Sequence, residues 1–336
     1  MSEKIARVFI IAEAGVNHNG QLDLAYRLCD IAKQAGADAV KFQTWKTESI
    51  LTKDVPKAEY QKLTDTKSGS QFDLIKKLEL SYSQFEKIYR YCEKIGIKFL
   101  STPDEEESLS FLVKLGVDRI KVGSGDINNI SYLRKIGMTR LPVILSTGMS
   151  TLADVEKALD TLTGSGSSQV TLLHCTTNYP CPVEEVNLRA MQTLSSAFKV
   201  PVGYSDHTSG IEVAVAAVAM GALVIEKHFT LDHNMEGPDH KASLDPEELK
   251  RMINSIRNIE KALGDGIKKP NQSERKIEKV VKKKIIATKH ITKGEILSEN
   301  NITLKRSENG ISADLWDMVN GRNANSDYDT DEPITL

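Results

Sequence analysis

Eight short apolar runs, each followed by a longer stretch of helical period, constrain this chain more than any other feature. That alternation is how parallel strands joined by crossover helices are written in sequence. The runs are Val8–Glu13, Ala39–Gln43, Lys98–Ser101, Arg119–Val122, Pro142–Ser146, Val170–Cys175, Val202–Ser205 and Leu223–Lys227. Between the first two lies LDLAYRLCDIAKQAG, in which Leu24, Leu28, Ile31 and Ala32 share one helical face and Gly36 supplies the stop. Eight such units in about 260 residues match the size of a (β/α)8 barrel, with an open doubly wound sheet as the alternative.

A barrel builds its active site where strands end and βα loops begin, so polar residues should gather there. Glu13, Lys41, Gln43, Ser101, Thr102, Lys121, Ser124, Ser146, Thr147, His174, Ser205–His207 and Glu226–His228 all fall at or just after strand ends. The lysines inside AVKFQT and RIKVGSG are costly to bury without an anionic partner, either a barrel glutamate such as Glu13 or an anionic ligand. GSG at Gly123–Gly125 lets backbone N–H groups approach an anion, and Ser and Thr donors around two cations suit a phosphate or carboxylate. His207 in GYSDHT and His228 in VIEKHFT each follow an apolar run; on neighbouring strands they emerge side by side. Such a pair either hydrogen-bonds backbone at strand ends or binds a divalent transition metal. Glu13, Asp126 or Glu226 can move protons there, and Glu226 can instead orient Lys227 or a metal ligand, or pair with a barrel lysine. The residues thus point to an anionic, phosphorylated substrate and metal-assisted carbonyl chemistry, without identifying the reaction.

With 44 basic against 46 acidic residues and a net charge of -2, the chain has no cationic excess for nucleic acid or an anionic membrane. MSEKIARVFIIAEAG lacks a signal-peptide core and no run approaches a membrane span, so a cytoplasmic protein is expected. Cys29, Cys92, Cys175 and Cys181 form no CxxC pair and are expected as small buried hydrophobes. The expected domain plan is a barrel over residues 1–266, a solvated basic linker over 267–281 and a small β-rich domain over 282–336. Turn signals at Lys293-Gly294 and Glu299-Asn300 punctuate that tail, which is short enough to need something to pack on. The segment from Thr47 to Gly69 exceeds an ordinary barrel connection and is a candidate cover for the mouth.

IIAEAGVNHNG, DAVKFQTW, FLSTP, KVGSGDINN, ILSTGM, LLHCTTNYP, GYSDHTSG, VIEKHFTLD and GPDHKAS resemble, in order, the signature blocks of the sialic acid (nonulosonate) synthases. The tail from about Lys282 resembles their antifreeze-like, or SAF, domain. The resemblance implies a TIM barrel that condenses phosphoenolpyruvate with an N-acylated amino sugar, typically N-acetylmannosamine, by C–O cleavage with phosphate release to form N-acetylneuraminate. It implies that His207 and His228 bind a divalent ion, usually Mn2+, with Mg2+ or Co2+ as alternatives. Lys41, Thr102, Lys121, Ser124, Ser146 and Ser205 then hold phosphoenolpyruvate, and Gln43, Tyr179 and Asp239 contact the amino sugar. Glu13 or Asp126 takes the proton from water, and Lys121 neutralises the leaving phosphate. It also implies a domain-swapped homodimer in which Arg306 reaches the partner's sugar pocket.

Three blocks depart from the family pattern. KRSENG replaces KRPGNG or KRPGKG beside Arg306, Asp126 replaces a glutamate in the GSGE block, and STPDEEE replaces STPF. The acids from Asp104 onward are expected to begin a helix, where negative charge suits the dipole, rather than to line the site. An N,N'-diacetyllegionaminate synthase using 2,4-diacetamido-2,4,6-trideoxymannose is the alternative within the family. A Schiff-base sialate lyase, with Lys121 as nucleophile, and a non-enzymatic binding protein are the alternatives outside it.

Overall fold

The eight apolar runs form eight parallel strands: β1 (Phe9–Gly15), β2 (Ala39–Thr44), β3 (Lys98–Pro103), β4 (Ile120–Val122), β5 (Val143–Ser146), β6 (Val170–His174), β7 (Val202–Asp206) and β8 (Val224–His228). The structure is a computed structural model that describes residues 7–53, 55 and 70–335. The sheet order is β3-β2-β1-β8-β7-β6-β5-β4, and β3 lies against β4 at the remaining seam, so the strands make a barrel and not an open sheet. The helices are α1 (Leu22–Ala35), the short α2 (Thr47–Ile50), α3 (Gln71–Leu78), α4 (Tyr82–Ile95), α5 (Glu106–Leu115), α6 (Ile130–Met138), α7 (Leu152–Gly164), α8 (Ala190–Phe198), α9 (Glu212–Ala219) and α10 (Pro246–Leu263). Gly36 ends α1 with a φ of 89°, a left-handed conformation that glycine adopts without steric cost.

Strand alternation sorts the side chains into two sets. Residues such as Ile10, Val40, Phe42, Phe99 and Tyr204 point outward into the core shared with the helices. Inward, Ile11, Ala39, Leu100, Ile144, Leu173 and Val224 form one apolar layer, and Phe9 packs against it with Arg119 over its ring at 4.6 Å. Gly203 faces this layer because a Cβ there would sit 2.3 Å from the Val224 carbonyl oxygen. Two residues further along each strand the inward positions become Glu13, Lys41, Thr102, Ser146, Ser205 and Glu226, all buried. The barrel thus has an apolar floor with a charged layer directly above it, at the end where the βα loops open.

The chain divides into two compact units, Met1–Asp265 and Gly266–Leu336. In the second, β9 (Lys283–Ala287) pairs antiparallel with β10 (Ile302–Arg306). Ile285, Ile291, Leu297, Ile302, Ile311, Tyr328 and Ile334 give it a core of its own, completed by Val319 of the short α12 (Trp316–Val319). The stretch read as a linker is not featureless: it holds a helix, α11 (Gln272–Val281), whose Asn271 cap and Glu274 form a capping box. Its many lysines obscure that pattern in the sequence, and none of its residues is buried. Residues 54 and 56–69, which include most of the proposed cover from Thr47 to Gly69, lie outside the described residues.

Candidate active site

The charged layer is one connected network. Lys41 Nζ donates to Glu13 Oε1 at 2.9 Å and to Thr102 Oγ1 at 3.1 Å. Lys121 Nζ donates to Ser146 Oγ at 2.7 Å, and Ser205 Oγ donates to Glu226 Oε1 at 2.9 Å. Glu226 joins the halves, lying 3.9 Å from Lys41 Nζ and 3.6 Å from Lys121 Nζ. Of the roles open to it in the sequence, partner of the barrel lysines is the one seen. Ser124, in the turn after β4, accepts the Gly148 N–H at 2.9 Å, so its hydroxyl is held at the same rim.

The two glutamates are driven apart electrostatically. Glu226 is buried but faces both lysines, which hold its carboxyl down at about 2. Glu13 is pushed up to about 8 by burial, which outweighs Lys41, and by the nearby Glu226 charge. Among the described residues Glu13 Oε2 is buried without a hydrogen-bond partner. Lys41 is held above its ordinary value despite burial, by Glu13 and Glu226, whereas burial pulls Lys121 down. A protonated Glu13 leaves two lysines against one carboxylate, a cationic site suited to a small polyanion.

His207 and His228 do emerge together, with ring centroids 5.7 Å apart. His207 Nδ1 lies 2.7 Å from the Thr176 carbonyl oxygen, which makes it the protonated nitrogen and leaves Nε2 with its lone pair. Among the described residues His228 Nδ1 is buried without a hydrogen-bond partner. Burial pushes both rings below the ordinary histidine range, so both are neutral donors. An orphaned ring nitrogen beside a second lone pair oriented by a carbonyl fits a divalent metal better than two backbone-bonded histidines. The Tyr179 ring lies 4.2 Å from His207 and 5.8 Å from His228. Asp239 Oδ2 is 4.0 Å from His228 Nδ1, with its carboxyl pushed up to about 6 by burial. Gln43, two residues beyond Lys41, shares the inward face of β2. Arg306 ends β10 in the second unit and is exposed.

Two features escaped the sequence reading. Asp104 does not begin α5: Glu105 is its cap, accepting the N–H groups of Glu107 and Ser108. Asp104 instead continues the inward alternation of Leu100 and Thr102, within electrostatic range of Lys41, Lys121 and Asp126. Behind the histidines, Lys227 and Asp206 form a fully buried ion pair at 2.8 Å, and both bond Thr208, which fixes the turn carrying His207. Only their alternation with Glu226 and Ser205 hinted that they face outward. Lys227→Met strands the Asp206 charge and is expected to cost about 3–5 kcal/mol. Urea denaturation should show this loss, and the double variant Lys227→Met/Asp206→Leu should recover much of it.

The chain matches the NeuB family over residues 28–268 and the SAF domain over residues 284–336. It is 51% identical to N,N'-diacetyllegionaminic acid synthase of Campylobacter jejuni, covering 98% of this chain and 99% of that protein. It is 48% identical to the protein of the same name from Legionella pneumophila, covering 94% and 90%. Among solved structures, N-acetylneuraminic acid synthetase from Leptospira borgpetersenii, in complex with citrate, aligns with a TM-score of 0.71 at 37% identity, over 80% of this chain and 90% of that one. No helix among the described residues is long and apolar enough to cross a membrane.

Proposed function

The chain belongs to the NeuB family, and from that premise we propose that it is an N,N'-diacetyllegionaminate synthase. It would condense phosphoenolpyruvate with 2,4-diacetamido-2,4,6-trideoxymannose, with water consumed and phosphate released. The observation that carries the reaction is the cationic network beneath two neutral histidines, which suits a small polyanion beside a carbonyl. The 51% and 48% identities carry the choice of sugar, and move it from the N-acetylmannosamine that the motif blocks favoured.

Lys41, Thr102, Lys121, Ser124, Ser146 and Ser205, at or just after the strand ends, would hold the phosphate and carboxylate of phosphoenolpyruvate. Binding would place that polyanion against Lys41 and Lys121, whose charges Glu226 only half compensates. A divalent ion on His207 and His228, Mn2+ in the first instance, would supply Lewis acidity at the sugar aldehyde oxygen. Glu13, protonated at neutral pH, gives its proton to that oxygen as C3 of phosphoenolpyruvate bonds to the aldehyde carbon. Asp126, whose carboxyl burial pushes up, takes a proton from the water that adds to C2. The C2–O bond then breaks, and Lys121 with Ser146 steadies the departing phosphate. Tyr179, Gln43 and Asp239 would line the sugar. Arg306 would reach a second copy of the chain in a homodimer, a role in which Ser307 and Glu308 shape the turn beside it.

A Schiff-base lyase needs a neutral lysine free to attack a carbonyl, but Lys121 is engaged by Ser146 and faces Glu226. The test is phosphate release by Mn2+-loaded protein with each sugar offered separately. The diacetamido sugar is expected to give kcat/KM at least about tenfold above N-acetylmannosamine. The reverse preference would restore the N-acetylneuraminate reading.

A further inference from the structure

Asn17, just after β1, is fully buried, and its side chain is engaged at one end only. Its Nδ2 donates to the Phe229 carbonyl at 2.8 Å and to Ser243 Oγ at 3.0 Å, which uses both amide protons. A carbonyl can only accept, so the contact with Phe229 fixes which way the amide points. Oδ1 is buried and, among the described residues, has no hydrogen-bond partner. A buried acceptor without a donor costs stability, so this is not the residue that stability alone would select. What the side chain gives in return is the two bonds of its NH2 group.

The first bond completes the fastening of the backbone at His228. The His228 carbonyl accepts the Leu244 N–H at 2.9 Å, and the Phe229 N–H donates to the Glu13 carbonyl at 3.0 Å. In the next peptide the Thr230 N–H donates to the Leu244 carbonyl at 2.8 Å, which leaves the Phe229 carbonyl to Asn17. Three of these four partners are backbone, and the fourth is this amide. The second bond leads to Asp239: Ser243 Oγ accepts from Asn17 and donates to the Asp239 carbonyl at 2.7 Å. Asn17 therefore links two residues whose side chains meet, with His228 Nδ1 4.0 Å from Asp239 Oδ2.

The middle of the loop between β8 and α10 has a separate attachment to the turn after β1. Asn19 Nδ2 donates to the Glu236 carbonyl at 2.9 Å, and the His240 ring nitrogens lie 3.1 Å from Asn19 Oδ1 and 2.6 Å from Thr230 Oγ1. With those bonds in place, loss of the Asn17 or Ser243 contacts is felt as a shift in position rather than as release of the loop.

We propose that Asn17 is a positioning residue that sets His228 against Asp239, one arm acting through the Phe229 carbonyl and the other through Ser243. The assignment rests on the reading above, in which His228 holds a divalent ion and Asp239 lines the sugar. Groups that orient a metal ligand in this way commonly change metal affinity or activity by about 10- to 100-fold when lost.

The test compares wild type, Asn17→Ala and Ser243→Ala by electron paramagnetic resonance titration of Mn2+ and by separate KM values for the preferred sugar and for phosphoenolpyruvate, with circular dichroism as the check of folding. Asn17→Ala cuts both arms and is expected to weaken Mn2+ binding at least about tenfold and to raise the sugar KM by a similar factor. Ser243→Ala cuts only the arm to Asp239. Its sugar KM should rise about three- to tenfold, with Mn2+ affinity and the KM for phosphoenolpyruvate held within about twofold. Because Ser243→Ala removes a single oxygen, it decides the matter even where Asn17→Ala fails to fold. A lowered melting temperature with Mn2+ affinity and sugar KM both unmoved makes the brace merely structural and overturns the assignment, as does an equal loss of Mn2+ binding in the two variants; either result leaves the condensation standing. Wild-type protein that binds no Mn2+, or releases no phosphate with either sugar, overturns the functional reading and this assignment with it.

Discussion

Glu13→Gln is expected to lower kcat by about 10^2- to 10^4-fold with much smaller effects on either KM, the signature of a lost proton donor. The glutamine fits the same space and can still accept from Lys41, but it has no carboxylic proton to give. Wild-type kcat/KM should hold level below pH 8 and fall above it, as Glu13 loses its proton. That alkaline limb should vanish in the variant. The same shift has a stability counterpart. Glu13 is raised from its ordinary 4.5 to about 8 on folding, so the folded state binds the proton more tightly across that window. Its contribution is present below 4.5 and lost as pH rises towards 8. Chemical denaturation of wild type against Glu13→Gln at the two ends of the window reads this directly, with the wild type losing more stability on going to high pH.

The second large effect is expected at the histidines. His207→Ala or His228→Ala should reduce kcat/KM by about 10^3-fold or more, because the several kcal/mol of charge stabilisation that a divalent ion held there would supply is lost with its ligand. Chelated wild-type protein should be inactive and recover with Mn2+, while neither variant recovers. Electron paramagnetic resonance of added Mn2+ separates loss of the ion from loss of fold: tight binding in wild type, weak binding in both variants. Undiminished Mn2+ binding in His228→Ala would remove its orphaned Nδ1 from the ligand set.

Much of this geometry is legible in the sequence because the barrel writes each strand twice. Outward residues such as Val40 and Phe42 are apolar, and inward ones switch from Ala39 to Lys41 within two residues. A lysine in an apolar run is therefore a marker of depth as well as of charge. The switch occurs on β1, β2, β3, β5 and β8 at the same height, which is why the list of rim residues could be read before the strands were placed.

What stayed hidden depended on choices between neighbouring residues. Asp104, Glu105, Glu106 and Glu107 read together as the start of a helix because negative charge suits its N-terminus, and nothing in their order separates one from the next. The backbone places Glu105 at the cap, and Asp104 is thereby freed to face the mouth. Glu226 and Lys227 are adjacent charges, and only the pleat decides that one faces the lysines and the other faces Asp206. The helix at Gln272–Val281 is capped by Asn271, a signal present in the chain but outweighed by the basic run around it.

In the proposed condensation water attacks C2 and the C–O bond breaks. Phosphoenolpyruvate carrying 18O in the bridging oxygen, incubated with the Mn2+-loaded protein and the diacetamido sugar, tests that most directly by mass spectrometry of both products. The label is expected in inorganic phosphate, with none in the new sugar acid. Label retained at C2 of the sugar acid would mean that the P–O bond broke instead, and would contradict it.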